Sequence, residues 1–167
     1  TRKAYGKACA LGDLAACNTY GHMLLKGEGG PTDWKAALVP LERACTTGED
    51  LDACLSVGAI YAEGKHGAKL DRVKALAMFV GLCKHEEKLA CDNIDAMVGN
   101  DWGLPTNPTA RAEMLLELCN QESGAACMRL GDALARGRGV PKDAVLAKAR
   151  YTRACDLGIK AGCEKLR

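Results

Sequence analysis

The sequence predicts an all-α chain, a solenoid in which antiparallel helix pairs stack as repeats. Three observations predict it: cysteines that recur at a fixed period, a hydrogen-bond acceptor at a fixed distance before them, and apolar residues at helical spacing in between.

The period comes from the ten cysteines, at 9, 17, 45, 54, 83, 91, 119, 127, 155 and 163, which form five close pairs. First members recur every 36, 38, 36 and 36 residues, and second members every 37, 37, 36 and 36. A fixed period of this size marks a repeat array. The predicted array spans 1–167, with a partial unit 1–13, units at about 14–50, 51–87, 88–123 and 124–159, and a partial unit 160–167.

Twelve residues before Cys45, Cys83, Cys119 and Cys155 stand Asp33, Asp71, Asn107 and Asp143. Each can accept from the free N–H groups of a helix start and is read as an N-cap. Pro108 follows Asn107 at the first helical position, where its missing N–H is harmless. Four residues before the same cysteines come Leu41, Phe79, Leu115 and Tyr151, and one before come Ala44, Leu82, Leu118 and Ala154. That spacing makes one apolar stripe on a helix.

A second helix starts near the second cysteine of each pair. Gly21, Gly58 and Gly131 lie four residues after Cys17, Cys54 and Cys127. A glycine inside a helix costs about 1 kcal/mol against alanine, which points to close approach of a neighbouring helix. Asp95 holds the same place in the third unit, so that helix should pack less tightly or turn its carboxylate outward. Glycine-rich loops close the units at 27–33, 64–67 and 137–143; the loop at 99–108 is irregular and carries Trp102. The expected helices are 1–10, then 14–26 with 33–46, 51–63 with 71–84, 88–99 with 107–120, 124–136 with 143–157, and a last one that residues 160–167 begin. No β-branched alternation survives long enough for a strand.

The remaining composition narrows the function. Net charge is +2 over 167 residues, without the basic stripe that binding a nucleic-acid backbone requires. Aromatic content is 4%, so the core must be thin and filled by Ala, Leu, Cys and Val. No apolar stretch is long enough to span a membrane. The N-terminus has no initiating Met and no signal-peptide pattern, which is expected of a processed or trimmed chain. The polar tail Lys165-Leu166-Arg167 could cap the last repeat.

The string from Gly137 to Asp143, with Ala147, Tyr151, Ala154, Cys155, Gly158, Ala161 and Cys163 in phase, resembles the SEL-one-like repeat family, and the added cysteine pair resembles its cysteine-rich secreted Helicobacter subgroup. The resemblance covers essentially the whole chain and implies a right-handed superhelix of tetratricopeptide-like helix pairs. It implies a protein or peptide partner, with adaptor and scaffold roles most common. Some cysteine-rich members are described as penicillin-binding with weak β-lactamase activity, and others resemble immunity proteins that block a secreted bacterial toxin.

Within each pair the first cysteine ends one helix and the second begins the next. Antiparallel helices can place such Cα atoms about 5–6 Å apart, suited to a disulfide. The expected bridges are Cys9–Cys17, Cys45–Cys54, Cys83–Cys91, Cys119–Cys127 and Cys155–Cys163. Two other readings stand beside this one. Zinc would want closer cysteine knuckles or nearby histidine. Reduced cysteines in a cytosol would pack as small hydrophobes. Disulfides imply an oxidising compartment: a bacterial periplasm, secretion, or the mitochondrial intermembrane space.

Catalysis and cofactors are not expected. Neither serine, Ser56 or Ser123, begins an S-x-x-K motif, and no S-D-N or K-T-G is present. His22, His66 and His85 fall in different units without shared context. The β-lactamase activity of some relatives therefore finds no matching residues.

By the tetratricopeptide analogy, the first helix of each pair lines a concave groove. Three residues before the glycine position lie Asn18, Leu55, Asp92 and Met128; one after it, His22, Ala59, Ala96 and Asp132; five after it, Lys26, Glu63, Asn100 and Arg136. Each helix thus offers an i, i+4, i+8 row to a partner. Trp102 is a candidate loop anchor, because Trp is over-represented at binding hot spots; Trp34, just after an N-cap, is expected to cover a helix end.

Overall fold

The computed structural model describes residues 1–46, 50–84 and 88–167, with the side chain of His66 excepted. His85 lies outside the described residues. The described residues form ten α-helices, one short 3-10 turn and no strand. The chain divides into two compact units, Thr1–Leu82 and Cys83–Arg167.

The first unit holds α1 (Arg2–Ala10), α2 (Leu14–Lys26), α3 (Trp34–Cys45), α4 (Leu51–Glu63) and all but the last residue of α5 (Arg72–Cys83). The second holds α6 (Lys88–Gly99), α7 (Pro108–Asn120), α8 (Gly124–Arg136), α9 (Ala144–Asp156) and α10 (Lys160–Glu164). These bounds follow the expected ones closely, except that α10 stops at Glu164 and the turn Lys65–Gly67 was not foreseen.

The expected caps explain the starts of α3, α5, α7 and α9. Asp33 accepts from Ala36 N at 2.8 Å, Asp71 from Lys74 N at 3.0 Å, Asn107 from Thr109 N and Ala110 N, and Asp143 from Leu146 N at 2.9 Å. A second set was not foreseen. Asp13, Asp50 and Ser123 cap α2, α4 and α8 by accepting from Ala16 N, Ala53 N and Ala126 N. Each stands four residues before the second cysteine of its pair, a signal present in the sequence.

The apolar stripe is the core. Leu41, Phe79, Leu115, Leu118, Tyr151, Ala44 and Ala154 are all buried, and Leu82 is half-buried. The three glycines meet that stripe: Gly21 faces Leu41, Gly58 faces Phe79 and Gly131 faces Tyr151. A Cβ at Gly58 would stand 2.7 Å from the Phe79 ring, and one at Gly131 would stand 2.6 Å from the Tyr151 ring. The helices of these pairs approach as closely as they do because no side chain intervenes.

Asp95 does not turn its carboxylate outward. It is half-buried, and its Oδ1 accepts from Ser123 Oγ and from Ala125 N at 3.2 Å. The carboxylate turns neither inward nor to solvent but toward the first turn of α8, where unpaired N–H groups attract negative charge.

All ten cysteines lie in disulfides, in the five nearest-neighbour pairs. Cα separations run from 4.5 to 5.0 Å, at or below the short end of the expected range of about 5–6 Å. No helix among the described residues is long and apolar enough to cross a membrane.

Candidate functional site

In the first unit the expected row residues sit on α2 and α4. Asn18, His22, Leu55 and Ala59 are half-buried, whereas Lys26 and Glu63 are exposed. His22 Nε2 lies 3.4 Å from Asp52 Oδ2, so α2 and α4 are neighbours here. That contact lacks hydrogen-bond geometry: Asn18 Oδ1 and His22 Nε2 are both shielded and without a hydrogen-bond partner among the described residues. Glu63 pairs with Lys65 on the following turn.

In the second unit Asp92 and Ala96 are exposed on α6, and Asn100 is exposed just past its end. Asp92 pairs with Lys88 at 2.7 Å, and Asn100 bonds back to the Ala96 carbonyl. On α8, Met128 and Asp132 are half-buried and Arg136 is exposed. Asp132 accepts from the Tyr151 hydroxyl at 2.9 Å and lies 3.6 Å from Lys165 Nζ.

Asp132 and Arg136 also line a concavity of about 650 Å³ with Arg111, Arg129, Arg138 and Asp101. Its walls come from the α6–α7 loop, α7, α8 and the α8–α9 loop, and Ala112, Leu115 and Ala133 supply its apolar part. Two of the arginines are fixed. Arg129 reaches Asp101 Oδ1 at 2.8 Å and the Gly99 carbonyl at 2.6 Å. Arg111 reaches the same Oδ1 at 3.2 Å and the Pro105 carbonyl at 2.8 Å. Asp101 holds this place from a left-handed backbone, φ 58°, a conformation Asp tolerates better than most residues. The α8–α9 loop closes the rim: a Cβ on Gly139 would collide with the Pro108 carbonyl, so this loop rests directly on the first turn of α7.

Arg111, Arg129, Arg138 and Asp101 were missed in the sequence. They come from four different loops and helices with no common spacing, and only packing brings them together. Trp102 is half-buried beside Asp101, its backbone N–H donating to the Met97 carbonyl at 2.8 Å, and does not line the concavity.

The first unit contains a polar cluster that the sequence did not reveal. Lys74 Nζ donates to Tyr61 Oη at 2.8 Å and Glu42 Oε1 at 2.9 Å, and Tyr61 donates to Glu42 at 2.6 Å. Lys74 also lies 4.2 Å from the Tyr61 ring centre. Hydrogen bonds to Tyr61 and Glu42 hold Lys74 above its ordinary value. A nucleophilic or general-base lysine needs the reverse shift; this one stays an ammonium and ties three helices together. Burial pushes Glu42 up, but the Tyr61 and Lys74 bonds and the nearby lysine charges outweigh it, leaving Glu42 below the usual carboxylate range. Ser123 is 5% exposed and bonded to Asp95 and the α8 backbone, which removes it from reach of a substrate.

No family model matches the chain. Over 140 residues, 78% of the chain, it is 29% identical to cytochrome c oxidase assembly factor 7 of Xenopus tropicalis, and the match spans 59% of that relative. Among solved structures it is similar to c5321, a protective antigen of uropathogenic Escherichia coli with an SLR fold, at TM-score 0.64 and 21% identity over 99% of this chain and 35% of that one. It is similar to a Sel1 repeat protein from Oxalobacter formigenes at TM-score 0.62 and 22% identity, over 94% of this chain and 64% of that one. Cysteine rich protein B of Helicobacter pylori matches at TM-score 0.48 and 21% identity, over 79% of this chain and 93% of that one. The chain has the all-α repeat fold of the Sel1 proteins, with its cysteine pairs bridged.

Proposed function

We propose that the chain is a protein-binding repeat module of an oxidising compartment, acting without catalysis of its own. The observation that carries this is the concavity of the second unit, where Asp132 and Arg136 of the expected row join three further arginines around a space suited to a peptide segment. The fold shared with Sel1 repeat proteins supports a binding role, and ten cysteines held in disulfides support a periplasmic, secreted or intermembrane-space setting. The row charges through which a partner is read are Lys26 and Glu63 within the first unit and Arg136 within the second, with Trp102 as a loop anchor.

The test is capture from the envelope and secreted fractions of the source cell, with the disulfide-intact chain as bait beside a variant carrying Lys26→Glu, Glu63→Lys and Arg136→Glu. One stoichiometric protein held by the wild type and lost by the variant is expected. Equal recovery by both removes the row as the binding surface. The likeness to a cytochrome c oxidase assembly factor favours a second reading, in which the partner is a protein under assembly. A captured enzyme whose activity falls on binding would indicate an immunity role instead, and turnover of a chromogenic β-lactam would indicate the penicillin-binding one.

A further inference from the structure

We propose that the arginine-lined concavity of the second unit is a carboxylate-binding site that takes an acidic peptide segment, through an Asp or Glu side chain or a terminal carboxylate. It takes from the protein-binding reading only that the ligand is a peptide; the charge of the site stands on its own.

Four arginines and two aspartates line the space, a surplus of two positive charges, as large as the net charge of the whole chain. The aspartates do not absorb the rest. Asp101 presents one oxygen, Oδ1, to both Arg111 and Arg129. Asp132 is engaged by the Tyr151 hydroxyl and Lys165. Arg136 and Arg138 form no ion pair among the described residues, and both are exposed.

The site is also partly pre-arranged. Carbonyl bonds from Pro105 and Gly99 hold Arg111 and Arg129, so less side-chain entropy is lost when a ligand arrives. Arg136 and Arg138 close on the ligand from α8 and the loop after it. A guanidinium presents two parallel N–H donors that match the two oxygens of a carboxylate, and a concave wall focuses the field of like charges.

Phosphate shares this charge chemistry and the net positive wall attracts it as well, so what favours a carboxylate on a carbon chain is the apolar part of the site. The apolar wall of Ala112, Leu115 and Ala133 suits the methylene groups that carry a side-chain carboxylate.

The experiment is fluorescence anisotropy at low salt with the intact chain and three labelled probes: a Glu-rich peptide with blocked ends, a neutral peptide with a free C-terminal carboxylate, and the same neutral peptide amidated. Inorganic phosphate serves as competitor. The Glu-rich or the free-carboxylate probe binds, the amidated neutral probe does not, and rising salt weakens the binding. Arg136→Gln with Arg138→Gln, both exposed and outside the core, weakens it about tenfold or more, whereas Lys148→Gln with Lys160→Gln removes as much charge and leaves it unchanged. Circular dichroism verifies that both variants fold. The inference is overturned if no carboxylate probe binds, if both double variants weaken it equally, or if phosphate binds and the peptides do not. Capture of a partner by the chain while every acidic probe fails would sink this site and leave the binding role standing.

Discussion

Tyr151 donates its hydroxyl to Asp132 Oδ1 at 2.9 Å while its ring lies against Gly131, the residue just before that aspartate. One side chain of α9 thus reads two successive positions of α8, one by shape and one by charge.

The charge part has a consequence at high pH. Burial, the hydrogen bond to Asp132 and that carboxylate's charge push the Tyr151 hydroxyl up to about 12. An unfolded tyrosine titrates near 10, so the fold favours the neutral phenol. Its contribution is complete below about pH 10 and is lost as pH rises through about 12. Ultraviolet titration of phenolate should lose its latest component in Tyr151→Phe, while Tyr61, also raised by burial and by its bond to Glu42, stays late in both proteins, and the variant's stability should fall less steeply over that alkaline range. A titration that the substitution leaves unchanged removes this account.

The shape part predicts opposite signs for one substitution. Gly58→Ala and Gly131→Ala force a methyl into the Phe79 and Tyr151 rings, and each should cost roughly 1–3 kcal/mol in urea unfolding. Gly81 lies in α5 with no heavy atom near its Cβ position, so Gly81→Ala should stabilise by about 0.4–1 kcal/mol. Equal effects at the three positions would contradict the close-approach explanation.

Glu122 has φ 67°, three residues after Cys119; Gly12 and Gly158 hold the equivalent places after Cys9 and Cys155 with φ of 101° and 89°. A side chain in this backbone conformation is strained by about 1 kcal/mol or more. The exposed ion pair from Glu122 to Arg153, at 2.8 Å, returns little of it. Glu122→Gly should therefore raise the thermal midpoint by a few degrees, and Glu122→Ala should not.

Asp95 joins α6 to the start of α8 through buried Ser123. Asp95→Ala leaves the Ser123 hydroxyl and Ala125 N–H without that acceptor and should cost about 1–3 kcal/mol. Asp95→Asn keeps an oxygen in place and should cost less. Chemical denaturation of the two variants gives the order; the reverse order would show that charge, not the acceptor, matters.

The helices were legible because each carries its own signals within a dozen residues: an acceptor before it, an apolar stripe along it, a cysteine at its end. Asp33, Phe79 and Cys83 announce structure by spacing alone. The second set of caps, Asp13, Asp50 and Ser123, was equally regular and was overlooked beside the cysteines. Asp95 was legible only as an exception to the glycine rule, because that rule describes the contact within a helix pair, whereas its carboxylate serves α8. The concavity was legible only at Asp132 and Arg136, which share the helix row. Arg111, Arg129 and Arg138 reach it from separate elements, and no sequence period encodes that meeting.

Every disulfide joins cysteines eight or nine residues apart. Ten thiols can pair in very many ways, yet here each takes its nearest neighbour along the chain. Such closures need no distant segment to have arrived. A chain threaded N-terminus first into an oxidising space can lock Cys9 to Cys17 while the later thiols are still on the far side of the membrane. The order of emergence then does the sorting that an isomerase performs for proteins whose bridges span long loops.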